Sequence, residues 1–159
     1  MNMNYEKFIR EHQLDPKKFR EALAFCLGNP WENSYDADGL NDSELIKSAE
    51  ELAQLVLKGQ KTATASDFAS YAQDNVPLPK VDGKYDIVLN GQGKPVCAIT
   101  TTKVYRVKFS EVTAEHACKE GEGDLSLNYW RQVHEDFFRT IGVFSPEMDI
   151  VCEEFRVIS

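Results

Sequence analysis

Between residues 55 and 66 the chain reads LVLKGQKTATAS. Gly59 closes an apolar, periodic run, and Lys61 and Thr64 follow at once. In one pocket, a lysine and a threonine make a base and a nucleophile. A hydroxyl attacks a carbonyl only when a neighbour takes its proton. In a regular strand, residues 61 and 64 point to opposite faces. They share a pocket only if the backbone turns between them. The plainer reading is a solvated lysine favoured by the helix dipole, with Thr62 and Thr64 as ordinary strand residues.

A second cluster is HACKEGEGD, which with the preceding residue crowds Glu115, Glu120, Glu122 and Asp124 together. As a solvated loop, it needs only Gly121 and Gly123 for its turns. As chemistry, one carboxyl turned into a pocket could serve as acid or base. Metal binding is the weaker option, because the regular ligand spacing of a calcium loop is missing.

A third is WRQVHEDFF. Trp130, His134 and Arg131 fall close together on a helix, with Arg131 and His134 at i,i+3. Together they could hold a phosphate or a flat base. A histidine on an apolar face is more often a core group.

The elements that must position these residues follow from periodicity. Tyr5, Phe8, Ile9 and His12 keep one helical face. Asp15 and Pro16 read as a cap and first helical residue. Phe19, Ala22, Leu23 and Cys26 continue at helical spacing, up to Gly28 and Pro30. Residues 28–41 form a polar loop whose Trp31 and Tyr35 could be core anchors or a lid. Asn41 with Glu44 resembles a capping pair for the next helix. Its stripe is Leu45, Ala49, Leu52, Ala53 and Val56, and Gly59 caps it.

Strands are expected over 84–90 and 95–109, and again in EMDIVCEEFRVIS. A short helix lies in SEVTAEHACKE. A strong one follows in SLNYWRQVHEDFFRTIG, with Trp130, Val133, His134, Phe137 and Ile141 on one side. Helices first and strands later make an α+β chain. A small, mostly antiparallel barrel with packed helices accommodates the strands better than a parallel sheet.

The chain has 159 residues and a net charge of −8. That length can bury a core as one domain. The charge opposes a long polyanion, whose binding depends on many cations releasing counterions. A small uncharged substrate is easier to reconcile with it. No apolar run is long enough to span a bilayer, and MNMNYEKFIREHQ lacks a signal-peptide core. The expectation is a soluble cytoplasmic protein without membrane contact. Cys26, Cys97, Cys118 and Cys152 show no C-x-x-C spacing, so free thiols are expected rather than a zinc site or disulfides.

Taken together, LVLKGQKTATAS, DGKYDIVLNGQGKPVCAI and FSEVTAEHACKEGEGDLSLNYWRQVHEDFF resemble the ASCH domain family, in family order from about residue 43 to 157. The G-x-K-T-x-T and E-G-E-G-D…W-R-x-x-H-x-x-F-F elements carry the resemblance. It implies a PUA-like fold over 43–159, a compact β-barrel, with residues 1–42 as an N-terminal helical extension packed on it. It also implies a cleft beside the barrel.

Family members include RNA-binding modules, a ribonuclease, and amidohydrolases that deacetylate N4-acetylcytidine. By that resemblance Lys61, Thr64 and Glu120 are the catalytic candidates. The short amidohydrolases carry an arginine where Ser66 stands here, so the substrate differs. Ser66, Trp130, Arg131 and His134 are the substrate-binding candidates.

The leading expectation is hydrolysis of an N-acylated nucleoside or related small amide, with no cofactor and no metal. Thr64 would attack, Lys61 would be a neutral base, and Glu120 would carry the proton for the leaving amine. The alternatives use the same cleft. One is an RNA-binding module, with Lys61, Arg131 and His134 on phosphate or ribose and Trp130 or Tyr71 stacked on a base. The other is a metal-independent ribonuclease using Lys61 and His134. The oligomeric state is left open.

Overall fold

The computed structural model describes residues 1–159. Each helix begins where a short polar side chain can accept a backbone N–H. Asn2 opens α1 (Met3–Glu11), Asp42 opens α2 (Ser43–Leu57) and Asp67 opens α3 (Phe68–Gln73). Thr113 opens α4 (Ala114–Glu120) and Ser126 opens α5 (Leu127–Thr140). The cap of α2 is therefore Asp42 rather than Asn41, because the Asp42 carboxylate accepts from both the Glu44 and Leu45 N–H. Gly59 sits just past the end of α2 with φ +78, the left-handed conformation a helix stop demands.

The strands are β1 (Phe19–Leu23), β2 (Ala63–Asp67), β3 (Tyr85–Leu89), β4 (Pro95–Lys108) and β5 (Asp149–Val157). They form one five-stranded sheet in the order β1-β3-β4-β5-β2. β1 pairs with β3 in parallel, whereas β3–β4 and β2–β5 are antiparallel. The fold class is α+β, as expected, but the sheet is mixed and does not close into a barrel. β1 and β2 end the order, so each has one unpaired edge.

The helix expected across 16–26 is replaced by a three-residue 3-10 turn, Pro16–Lys18, and by β1. Asp15 does cap that turn through the Lys17 N–H. Beyond it, pairing with β3 wins over local helical spacing. Cys26 takes φ +63 and Gly28 closes back on Ala24, which ends the strand.

The chain divides into two compact units. The first comprises Met1–Gly59, Asp82–Thr100 and Arg156–Ser159. Residues 1–42 thus share a unit with α2 and β3. Its core is Tyr5, Phe8, Ile9, Ala22, Leu27, Ala49, Ile87, Leu89 and their neighbours. Trp31 packs against this core, whereas Tyr35 is almost fully exposed.

The second unit comprises Gln60–Val81 and Thr101–Phe155. Phe109, Val112, Ala117, Trp130, Phe138, Ile150 and Cys152 form its core. The buried face of α5 carries Trp130 and Phe138, while Val133, Phe137 and Ile141 are exposed. The single apolar side expected for that helix is thus split in two. No helix is long and apolar enough to cross a membrane.

Candidate active site

The second unit buries charge. Lys61 and Glu120 are each only 2% exposed. α4 delivers Glu120 at its last residue, and Gly121 terminates the helix with φ +73. That glycine is required by space as well as conformation. A Cβ there would collide with the Gln60 carbonyl oxygen and lie 2.9 Å from the Lys61 Cα. Two further bonds lock the same pair of segments. The Thr62 N–H donates to the Lys119 carbonyl at 2.7 Å, and the Gln60 side-chain amide donates to the Gly121 carbonyl at 2.8 Å. Main chain thus holds Lys61 beside Glu120.

The Lys61 ammonium donates to the Ala63 carbonyl at 3.0 Å, the Glu120 carbonyl at 3.3 Å and the Glu122 carboxylate at 3.0 Å. Its Nζ is also 3.7 Å from Glu120 Oε1. Three acceptors match the three N–H groups of an ammonium. None of those three partners is Thr64.

Glu120 is the hub. Its Oε2 accepts from the Trp130 indole N–H and, at 2.7 Å, from His116 Nε2. Its Oε1 faces Lys61 and His134 Nε2, the latter at 3.6 Å. Burial alone would push this carboxyl up. The His116 hydrogen bond and the charges of Lys61 and His134 outweigh it and hold Glu120 below the ordinary carboxylate value. This runs against the expectation of a proton resting on Glu120: two donors, the Trp130 N–H and His116 Nε2, serve Oε2, and the Lys61 charge lies 3.7 Å from Oε1.

Behind the hub, His116 Nδ1 lies 3.3 Å from the Tyr105 hydroxyl. In front, His134 stacks on Trp130 with ring centroids 4.1 Å apart and planes 16° apart. His134 Nδ1 meets the Trp130 carbonyl at 2.8 Å. A small pocket opens here, lined by Glu120, Glu122, Ser126, Tyr129, Val133 and His134 among others.

The structure thus gathers Lys61, Glu120, Trp130 and His134. Thr64 stands in β2 opposite Glu153 of β5. Strand alternation puts it on the face opposite Ala63 and Ala65, and Ala65 packs on the core that contains Trp130. Ser66 hydrogen-bonds the Tyr71 hydroxyl at 2.6 Å. Arg131 donates to the Ser110 carbonyl at 3.0 Å, and its Nε is buried without a partner. Trp130 is 2% exposed, so its edge serves Glu120 and it is not an open stacking platform.

Sequence reasoning missed His116 and Tyr105. His116 precedes Glu120 by four residues in HACKE, the spacing that aligns two side chains on one helical face. That signal was available. Tyr105 carried none, since its role depends on strand placement.

No cysteine forms a disulfide, and burial disfavours thiolate chemistry at two of them, pushing Cys97 up to about 11 and Cys152 up to about 12. No group of three or more His, Cys, Asp or Glu is placed to hold a metal ion.

A family model described as an ASCH domain matches residues 40–159. Two solved structures are similar over nearly the whole chain. One is an ASCH domain from Lactobacillus crispatus JV V101, at 28% identity and a TM-score of 0.78, covering 99% of this chain and 95% of that one. The other is protein EF3133 from Enterococcus faecalis V583, at 32% identity and a TM-score of 0.72, covering 98% of this chain and 85% of that one. No curated protein matches the chain.

Proposed function

The chain belongs to the ASCH domain family, and from that premise we propose that it hydrolyses a small N-acylated amide of the nucleoside type at the pocket over Glu120. ASCH domains are in general suggested to bind RNA. The observation that carries the hydrolase reading is the buried Lys61–Glu120 pair at 3.7 Å, with Glu120 also in the pocket wall. Removing two charges from water costs several kcal/mol per ion before their attraction offsets it. A buried ion pair of this kind beside a pocket marks a candidate site.

The roles differ from the simplest family scheme. Lys61, with its three N–H groups engaged, keeps Glu120 anionic. Glu120 presents negative charge to the pocket, where a positive charge that develops during the reaction is stabilised. Thr64 enters as the nucleophile that the family implies, with water as the competing attacker.

The surroundings favour a small substrate over a long polyanion. In this unit Lys103, Arg106, Lys108, Lys119 and Arg139 each face a carboxylate. Few cations are left to release counterions from phosphates.

The test is turnover of N4-acetylcytidine by the purified protein, followed as released cytidine. The wild type turns it over, and Lys61→Ala and Glu120→Gln lose turnover. Loss in Thr64→Ala as well identifies it as the nucleophile; full turnover there hands that role to water. A folded wild type that leaves the substrate intact but binds or cuts RNA without added metal replaces this reading with the RNA one.

A further inference from the structure

We propose that His134 is the proton carrier of this hydrolysis, taking the proton of the attacking hydroxyl and returning it to the departing amine. The inference rests on the hydrolase reading and adds the group that neither Lys61 nor Glu120 supplies. Lys61 has no free N–H direction and is buried. Glu120 is held as the anion. A hydrolysis at this pocket still has to move one proton from oxygen to nitrogen.

His134 is built for that transfer. A carbonyl oxygen only accepts, so Nδ1 carries a hydrogen and donates it to the Trp130 carbonyl at 2.8 Å. That bond fixes the tautomer in which the neutral ring leaves its Nε2 lone pair free. The stack on Trp130, at 4.1 Å and 16°, holds the ring plane. Nε2 then points to the side where Glu120 Oε1 lies 3.6 Å away, and His134 lines the pocket. Its side chain is 17% exposed, against 1% for His116, so a substrate reaches only the former.

The charged groups around it are Glu120 at the end of α4, Glu122 in the following loop and Lys61 ahead of β2. His116 and Tyr105 stand behind Glu120. Two carboxylates and one ammonium leave a net negative charge, which an imidazolium formed at His134 neutralises. The Trp130 face beneath the ring favours that cation as well.

The step balances. The O–H bond of the nucleophile breaks, its proton passes to Nε2, and the oxygen bonds to the acyl carbon. The C–N bond then breaks and the nitrogen takes the proton from Nε2. His134 ends as it began. If Thr64 is the nucleophile, a water molecule repeats the sequence on the ester. Glu120 stabilises the transient imidazolium by its charge from the Nε2 side, while the Trp130 carbonyl holds Nδ1.

The experiment compares wild type, His134→Gln and His134→Ala on N4-acetylcytidine across pH, with folding checked by circular dichroism. His134→Gln is expected to lower kcat by about 10²- to 10⁴-fold with KM little changed. The wild-type rate should rise with pH to a plateau, a limb that the variant loses. Added imidazole should restore part of the rate in His134→Ala. Nitrogen NMR of the wild type should show the Nδ1–H tautomer at the plateau. Turnover in His134→Gln within a few-fold of wild type, or an Nε2–H tautomer, overturns the assignment and leaves the hydrolase reading standing. A folded wild type with no turnover overturns the hydrolase reading, and this inference falls with it.

Discussion

The two units each bury a carboxylate, and they do it differently. In the first, Asp86 meets the Arg20 guanidinium through two hydrogen bonds of 2.9 Å. Arg20 reaches in from the surface and keeps a quarter of its side chain in solvent. This is a flat, bidentate pair that pins β1 to β3. In the second, Glu120 is met by Lys61 from ahead of β2, by His116 from its own helix α4, and by Trp130 and His134 from α5. A single arginine would neutralise Glu120 as well as Asp86 is neutralised. The second unit instead uses donors that can exchange protons, beside a pocket.

The largest effect that would break this comparison is on stability. Glu120→Ala strips buried Lys61 of one of its two carboxylates and leaves the Trp130 N–H without its acceptor, and is expected to cost about 3–5 kcal/mol. Urea unfolding measures it, and a cost under about 1 kcal/mol would mean the hub is far wetter than its burial implies.

Gly121→Ala comes next. It must part segments 60–62 and 119–121 and adopt a left-handed φ, for about 1–3 kcal/mol. Turnover should fall further than stability, since the Lys61–Glu120 separation changes. Equal, small losses in both would show that the site tolerates slack.

Asp86→Asn should cost about 1–2 kcal/mol, because Arg20 can turn to water or towards Asp82 at 3.8 Å. Turnover should be unchanged. If it collapses, Asp86 is not a merely structural carboxylate and the contrast drawn here fails.

The gentlest test is pH. Glu120 is held below the ordinary carboxylate value in the folded protein, so the unfolded chain binds its proton first as pH drops. Its contribution is complete above the unfolded value of about 4.3 and is lost as pH falls through the lower folded value. Unfolding free energies from pH 7 down to 3 should decline, less steeply in Glu120→Gln. A parallel decline in both would assign the loss to other carboxylates.

Much of this could be read from the sequence where the signal was local. α5 and β3 to β5 announced themselves through periodicity and branched residues, and Gly59 through its place after a periodic run. β1 did not, because Phe19, Ala22 and Leu23 fit a helical face and only the partner strand β3 decides otherwise. At the site, Lys61 and Glu120 came from motif resemblance. The protonation of Glu120 did not, since it depends on Lys61 and on groups of α4 and α5 brought together by the fold. The face on which Thr64 stands is likewise set by its register against Glu153 and cannot be read from K-T-A-T.

Gly121 has a practical consequence. Because segments 60–62 and 119–121 lie against one another, the main-chain positions that carry Lys61 and Glu120 are set by contacts around Gly121. The pocket wall at Ser126, Tyr129 and Val133 belongs to a different stretch of chain. Tyr129 and Val133 can therefore be varied to reshape the pocket wall while the main-chain spacing of Lys61 and Glu120 stays, provided residue 121 and the Ser126 cap are left alone.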